Sequence, residues 1–485
     1  MSRFLLGATP TEEFVWWGLF TGVFSYIFSI AGFLLALVLI ARLIKERRQP
    51  GTTISWLLVL VLIPHIGVPF YLLFGGRKLR RLAAAKSQLP VHSDARELFY
   101  LEGWAKEHPL FYAATNPPTS GNNLTFLTTG QQTFRTFERE ILAAKESIDV
   151  MAFILGSDKV GRMIVDLLAQ RAQEGIKVRL LLDSLGCLKT RGAFVEPLRA
   201  AGGETARFMP VLPIHSRWSA NLRNHRKMAI FDGRVGLVGG HNIAEEYMGP
   251  DPYPKRFQDF GARIEGPAVN ELREIFSADW NFATGKPEKP LEPPAGKKAK
   301  AVNRGLLQVI ASGPDVPQDT LYEAILLLVE EARKHVVIIT PYFIPDEVLF
   351  RSLLLKLRSR RQVTIIVPRR SNHPITDYAR AHYLRELQKA GARILTYVPG
   401  MLHAKVILVD EKVVMFGSVN IDLRSLFVNY EVGLFCYSKP EVLKVAEWAE
   451  TIIARCIEFE SDRKRPPGFV RTIAEDLSRL LAPLI

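Results

Sequence analysis

Two short runs of this 485-residue chain carry the same chemical groups at the same offsets. His225, Lys227 and Asp232 lead to Gly239-Gly240 and Asn242, and His403, Lys405 and Asp410 lead to Gly417-Ser418 and Asn420. A single His-x-Lys pair is weak evidence, because such pairs arise by chance in any long basic chain and are usually solvated. The whole set recurring at matched positions is hard to explain that way. Two imidazoles that titrate near neutral pH, with two lysines, suit substitution at a singly charged phosphodiester. One histidine can attack phosphorus while the other protonates the leaving oxygen, and the ammonium groups and asparagine amides stabilise the equatorial oxygens where negative charge gathers. The second histidine, once neutral, can then act as base on an incoming hydroxyl. Neither run supplies both roles, so the two halves are expected to face each other across one site.

The elements that must position these groups follow from local pattern. Each run reads as a strand, in which His225 with Lys227, and His403 with Lys405, project to one face. Asp232-Gly233 is a strong hairpin signal. Asp232 and Asp410 are therefore read as supporting members of the catalytic set, not reacting ones. The pairs Gly239-Gly240 and Gly417-Ser418 end the returning strand and allow close backbone approach, and Asn242 and Asn420 offer amide donors to a substrate phosphate.

Helix and strand alternate in the same order before both runs: helix 134–145, strand 147–155, helix 160–174 and strand 178–183, then helix 321–332, strand 336–340, helix 348–358 and strand 363–367. This predicts an α/β fold built from a repeat, with packed helix and sheet layers. A Pro-rich charged linker at 285–301 divides a first domain at 121–284 from a second at 302–485. The stretch from Gly202 to His225 is longer than that from Gly391 to His403 and contains Phe208, Met209, Val211, Leu212, Ile214 and Trp218. It is a lid, an acyl-chain contact or ordinary packing. At the C-terminus, Phe469, Val470, Ile473, Leu477, Leu480, Leu481 and Leu484 lie at helical spacing, which fits a helix that docks on the protein or lies in a membrane interface.

Residues 1–80 read as a membrane anchor, followed by a connector at 81–120. Residues 14–41 carry no charge and are followed by Arg42, Lys45, Arg47 and Arg48, as expected of a transmembrane helix. A second apolar run at 53–74 is interrupted by Pro64, Gly67 and Pro69. Basic clusters follow both runs, so the positive-inside bias is met if the second run kinks and returns as a re-entrant segment, with the catalytic domains cytoplasmic.

The His-x-Lys-(four residues)-Asp pattern, present twice, resembles that of the phospholipase D superfamily. The resemblance extends to the paired apolar segments, to Asn420-Ile421-Asp422-Leu423-Arg424-Ser425 and to the Leu-rich C-terminus. It implies two phospholipase D-like repeats, each a mixed β-sheet flanked by helices, facing across one active site behind N-terminal membrane helices. The resemblance, which covers almost the full length and is to bacterial members that act on phospholipids, further implies phosphatidyl transfer between two phosphatidylglycerol molecules. The products are cardiolipin and glycerol, formed through a phosphatidyl-histidine intermediate at the bacterial plasma membrane. By the same resemblance His225 is the nucleophile, His403 the acid/base, and Asp259 and Glu431 the acids that orient the histidines. The first half lacks the Asp-x-Arg-Ser that follows Asn420, so the halves are not equivalent and the acceptor pocket stays unassigned.

A formal net charge of +14 favours anionic partners, either nucleic acid or an acidic membrane. A nuclease would not need an apolar anchor reaching Phe74, so nucleic acid is not expected. Cys187, Cys436 and Cys456 have no paired spacing, and no metal or cofactor is expected. His215, His241, His335 and His373 are left as core or surface residues. Hydrolysis by the same residues, or a non-catalytic lipid-binding protein of this fold, are the alternatives, and an oligomer is compatible with the sequence.

Overall fold

The computed structural model describes residues 30, 32–41, 50–74, 86, 89, 116–190, 192–210, 222–286, 305–316, 318–459 and 468–481. It divides into two compact units, residues 1–81 and 82–485.

The larger unit holds two sheets with the same strand order. The first uses β1 (Asn123–Leu127), β2 (Ser147–Ala152), β3 (Lys177–Asp183), β4 (Glu204–Phe208), β5 (Met228–Phe231), β6 (Val235–Gly239) and β7 (Gly261–Glu265), in the order β1-β7-β6-β5-β2-β3-β4. Strands β2, β3 and β4 are parallel, and the others pair antiparallel. The second sheet uses β8 (Leu307–Ser312), β9 (His335–Ile339), β11 (Gln362–Pro368), β12 (Arg393–Tyr397), β13 (Val406–Val409), β14 (Val413–Gly417), β16 (Glu431–Cys436) and β17 (Cys456–Glu458), with β10 (Phe343–Ile344) and β15 (Ile421–Asp422) forming a separate pair. Its order, β17-β12-β11-β9-β13-β14-β16-β8, repeats the first and adds β17 at one edge.

The parallel strands are continuous apolar runs because both faces are covered: β3 is buried from Val178 to Asp183. Helices Gly130–Ala143 and Lys159–Gln173 place Phe134, Phe137, Ile141, Ile164, Val165 and Leu168 on one core, capped at their starts by Thr129 and Asp158 side chains. The alternation expected from sequence is present. Strands β1, β4, β7 and their counterparts, and the helices Ala268–Thr284 and Lys439–Ile453, are not among the elements expected from sequence. The two halves meet through aromatic packing, with Phe260 5.5 Å from Phe416 and 4.5 Å from Trp448 between ring centroids.

Most of the called linker at 285–301, most of the connector, and 211–221 of the stretch before the first motif lie outside the described residues. Phe208 and Met209 at the start of that stretch are buried, with Phe208 against Phe282 and Tyr430, so these two are packing residues. Helix Phe469–Leu481 buries Glu475 and Ser478 and exposes Phe469, Ile473 and Leu477; Arg385 donates to Glu475 at 3.2 Å.

In the smaller unit, residues 14–29 of the first called span fall outside the described residues. The second called span is two helices, Pro50–Leu62 and Pro64–Phe74. They fold against each other, with Trp56 edge-on to Tyr71 at 5.2 Å, because Pro64 breaks the helix and Gly67 admits the Val59 carbonyl where a Cβ would sit 2.5 Å away. Among the described residues no helix is long and apolar enough to cross a membrane.

Candidate active site

The strands that frame the site start after the reactive residues. Sequence pattern put His225 and Lys227 within a strand, yet β5 begins at Met228 and β13 at Val406. The preceding segments are extended all the same, because each bonds to the opposite half. Asn224 bridges Tyr430 in parallel, with His225 N–H donating to the Tyr430 carbonyl at 2.9 Å. Gln258 bridges Leu402, and His403 N–H donates to the Gln258 carbonyl at 2.7 Å. Each histidine is thus anchored by the segment carrying the other half's acid.

The acids consequently pair across the halves. His225 Nδ1 lies 2.9 and 3.0 Å from the two Glu431 oxygens, and His403 Nδ1 lies 2.7 Å from Asp259 Oδ2. His225 and Lys227 keep Glu431 ionised against the opposing effect of burial, and His403, His241 and Lys405 do the same for Asp259. An ionised carboxylate only accepts, so each Nδ1 carries the proton and each Nε2 keeps its lone pair. Burial pushes the His225 imidazole down to about 4 even though Glu431 pulls the other way. Burial and the neighbouring Lys405 charge push His403 down to about 3. Both rings are therefore neutral near pH 7 before an anion arrives.

The lysines are buried with them. Lys227 Nζ donates to the His225 carbonyl at 2.7 Å, and Lys405 Nζ donates to the His403 carbonyl at 2.5 Å and lies 3.0 Å from His403 Nε2. Burial lowers Lys227 to about 7 and Lys405 to about 8. In the free protein they are cations on the edge of discharge, a state that an incoming phosphate anion reverses. Activity measured as kcat/KM is therefore expected to fall as pH rises through about 7 to 8, since it reports the free enzyme. A pH–rate profile flat to pH 10 would refute this.

Asn242 and Asn420 are both buried. The Asn242 carbonyl oxygen accepts from Ile154 N–H at 3.2 Å, and Asn420 donates to Ser425 Oγ at 3.3 Å. The structure does not bring Asp232 and Asp410 to the histidines, which corrects their grouping with the catalytic set. Both sit in the β5–β6 and β13–β14 turns with left-handed backbone, φ 51° and 53°. Asp232 accepts from the N–H groups of Lys145, Glu146 and Ser147, and Asp410 from those of Arg333, Lys334 and His335, at 2.7–3.0 Å. Each carboxylate thus caps the start of the neighbouring strand. Asp232→Ala or Asp410→Ala is expected to cost about 1–3 kcal/mol of stability by stranding these donors, read as a lower melting temperature. An unchanged melting temperature with lost activity would restore a catalytic role.

Three side chains around the pair had no motif signal, and a fourth, Ser418, was read only as a small residue that allows close backbone approach. Phe153 packs edge-on to His225 at 4.8 Å, Tyr247 edge-on to His403 at 5.0 Å, and Ser418 Oγ donates to Glu431 Oε2 at 2.5 Å. Arg226, between the motif's His and Lys, is wholly buried; it donates twice to Asp279 at 2.9 Å and through Nε to the Glu431 carbonyl at 3.1 Å. Its counterpart is Ala404, so this anchor exists on one side alone. Gly240 stands where the second half has Ser418, because a Cβ there would sit 2.0 Å from Asp259 Oδ1.

Paired sheets of matched topology, with two imidazole–carboxylate couples exchanged between them over two lysines, define a two-lobed phospholipase D-like fold. Residues 137–280 and 325–454 match the family described as "Cardiolipin synthase, PLD-like domain", and 34–76 match "Phospholipase D-nuclease N-terminal". A protein of Geobacillus kaustophilus named cardiolipin synthase is 34% identical over 97% of this chain and 95% of its own. Cardiolipin synthase 2 of Bacillus anthracis is 33% identical over 94% of this chain and 91% of its own. Among solved structures, a phosphatidylserine synthase of Haemophilus influenzae Rd KW20 shares the fold at a TM-score of 0.56 and 16% identity, covering 75% of this chain and 95% of that one. The chain belongs to the cardiolipin synthase family of the phospholipase D superfamily.

Proposed function

We propose that this chain is a membrane-associated cardiolipin synthase, transferring a phosphatidyl group from one phosphatidylglycerol to another. The crossed His225–Glu431 and His403–Asp259 couples are the observation that carries the mechanism, since they leave both Nε2 atoms for chemistry at one phosphorus. His225 Nε2 attacks phosphorus and the bond to the glycerol oxygen breaks; His403, which takes up a proton at Nε2 when the phosphate anion binds beside it, gives that proton to the leaving oxygen. Lys227, Lys405, Asn242 and Asn420 hold the equatorial oxygens. Glycerol leaves, and phosphatidyl-His225 remains. A hydroxyl of the second phosphatidylglycerol then passes its proton to His403 and attacks phosphorus as the P–N bond breaks, giving cardiolipin.

The domain bounds 121–284 and 302–485 suit this division of labour, each contributing one histidine and the acid for the other. The folded-back apolar helices at 50–74 support a re-entrant anchor that keeps both basic clusters and the catalytic unit on the cytoplasmic face. Labelling cysteines placed at positions 50 and 78 from opposite sides of the membrane would defeat that topology.

Mass spectrometry after incubating the purified protein in phosphatidylglycerol vesicles tests the activity. Cardiolipin with glycerol is expected from the wild type and from neither His225→Ala nor His403→Ala. Phosphatidic acid in place of cardiolipin would mean hydrolysis instead.

A further inference from the structure

The transfer reaction needs two lipid anions at the site, and the groups described above hold one of them. The extended segment before β5 alternates its side chains. Asn224 and Arg226 turn to one side, where both bond Asp279 at 2.9 Å. Arg223 therefore shares the other side with His225 and Lys227. In the second half the matching position is Met401, so this guanidinium has no counterpart.

Arg223 is 2% exposed. One of its terminal nitrogens donates to the Met209 carbonyl at 2.9 Å and lies 3.8 Å from Asp183. Among the described residues, its Nε and other terminal nitrogen are buried without a hydrogen-bond partner. Asp183 does not use them, because its oxygens already accept from the N–H groups of Leu185, Gly186 and Asn224 at 2.8–3.0 Å. Buried guanidinium donors left over in this way call for an anion. A second cation stands close by. Arg424 follows Asn420 in the run that the first half lacks, and its carbonyl accepts from Asn429 N–H while Tyr430 N–H donates to the Arg223 carbonyl, at 2.8 and 2.9 Å. Burial depresses the Arg424 guanidinium, which feels Asp422, Arg223 and Asp183.

We infer that Arg223, with Arg424 from the opposite half, forms a subsite for a second phosphodiester anion, that of the acceptor lipid. The spacing agrees. Arg223 precedes His225 by two residues of extended chain, ~7 Å, a span similar to that between phosphates joined through one glycerol unit. The subsite would hold the acceptor's phosphate while its terminal hydroxyl oxygen forms the new bond to phosphorus. The phosphorus–Nε2 bond to His225 breaks in the same step, and the hydroxyl proton passes to His403. Free glycerol can serve in that step as an acceptor without a phosphate. The inference rests on the transfer reaction proposed above.

The test incubates full-length Arg223→Gln in phosphatidylglycerol vesicles with labelled glycerol, measuring cardiolipin and labelled phosphatidylglycerol in the same reaction. The ratio of cardiolipin formation to glycerol exchange is expected to fall about 10- to 100-fold, the loss of charged hydrogen bonds to one phosphate. Arg223→Lys is expected to recover part of it. An unchanged ratio, whether both rates fall together or neither falls, would overturn the subsite. Wild-type protein that makes no cardiolipin would instead overturn the proposed function, and the subsite with it.

Discussion

His403→Ala is expected to stall with phosphatidyl-His225 when the donor is a p-nitrophenyl phosphatidyl ester, whose leaving group needs no proton, while His225→Ala forms no covalent species with any donor. The expectation follows from the proposed division of labour, in which His225 attacks as a neutral ring and His403 takes up its proton only when the phosphate binds. Removing the nucleophile should lower turnover by more than about 10⁴, as for other covalent catalysts. Removing the acid should lower turnover of phosphatidylglycerol by about 10²–10⁴ and spare the first step on the activated ester. The crossed couples add a sharper expectation. Asp259→Asn must behave like His403→Ala, and Glu431→Gln like His225→Ala, although each acid lies in the same half as the other histidine. Intact-protein mass spectrometry of the trapped adduct reads all four variants. An adduct in His225→Ala would reverse the assignment, and Asp259→Asn that blocks adduct formation from the activated ester would break the crossed scheme.

Lys227→Met is expected to abolish transfer and stabilise the protein at once. Loss of an ammonium aimed at the transition-state oxygens should lower kcat by about 10²–10³. In the folded protein Lys227 is buried and titrates at about 7, below the ordinary 10.5. Between those values the unfolded chain holds the extra proton, so stability rises with pH across that window, and below pH 7 the full burden of a buried cation is present. A methionine of similar shape removes that burden. The melting temperature of the variant should exceed that of the wild type most at pH 6 and least near pH 10. A melting temperature that falls at every pH would mean that Glu431 and Asp259 more than compensate the buried charge.

How much of this was visible beforehand differs from residue to residue. The motif histidines and lysines, Asn242 and Asn420 could be named from spacing, because the same residue types recur at matched offsets in both halves, and the two acids from resemblance. The repeat was legible through the parallel strands, whose apolar runs are continuous. Strands β1, β7, β8 and β16 were not, since short antiparallel strands such as Gly261–Glu265 carry little periodic signal. The aspartates were misplaced for a related reason. A carboxylate at a fixed offset after a His-x-Lys is readily grouped with it as a supporting residue, whereas its backbone partners lie some 85 residues upstream at Ser147 and are silent in sequence.

The sequence by itself determined the chemistry. It supplies two imidazoles, two lysines and two amides in matched runs, apolar N-terminal runs and a basic balance, all properties that side-chain type and local spacing carry. Only the tertiary structure decided which acid serves which histidine, that Arg226 anchors one half alone, and that Arg223 is buried with donors to spare. Those facts depend on contacts between the halves, such as Asn224 with Tyr430 and Gln258 with Leu402. A pairing across so long a separation is set by how two sheets close on each other, and no local pattern encodes that closure.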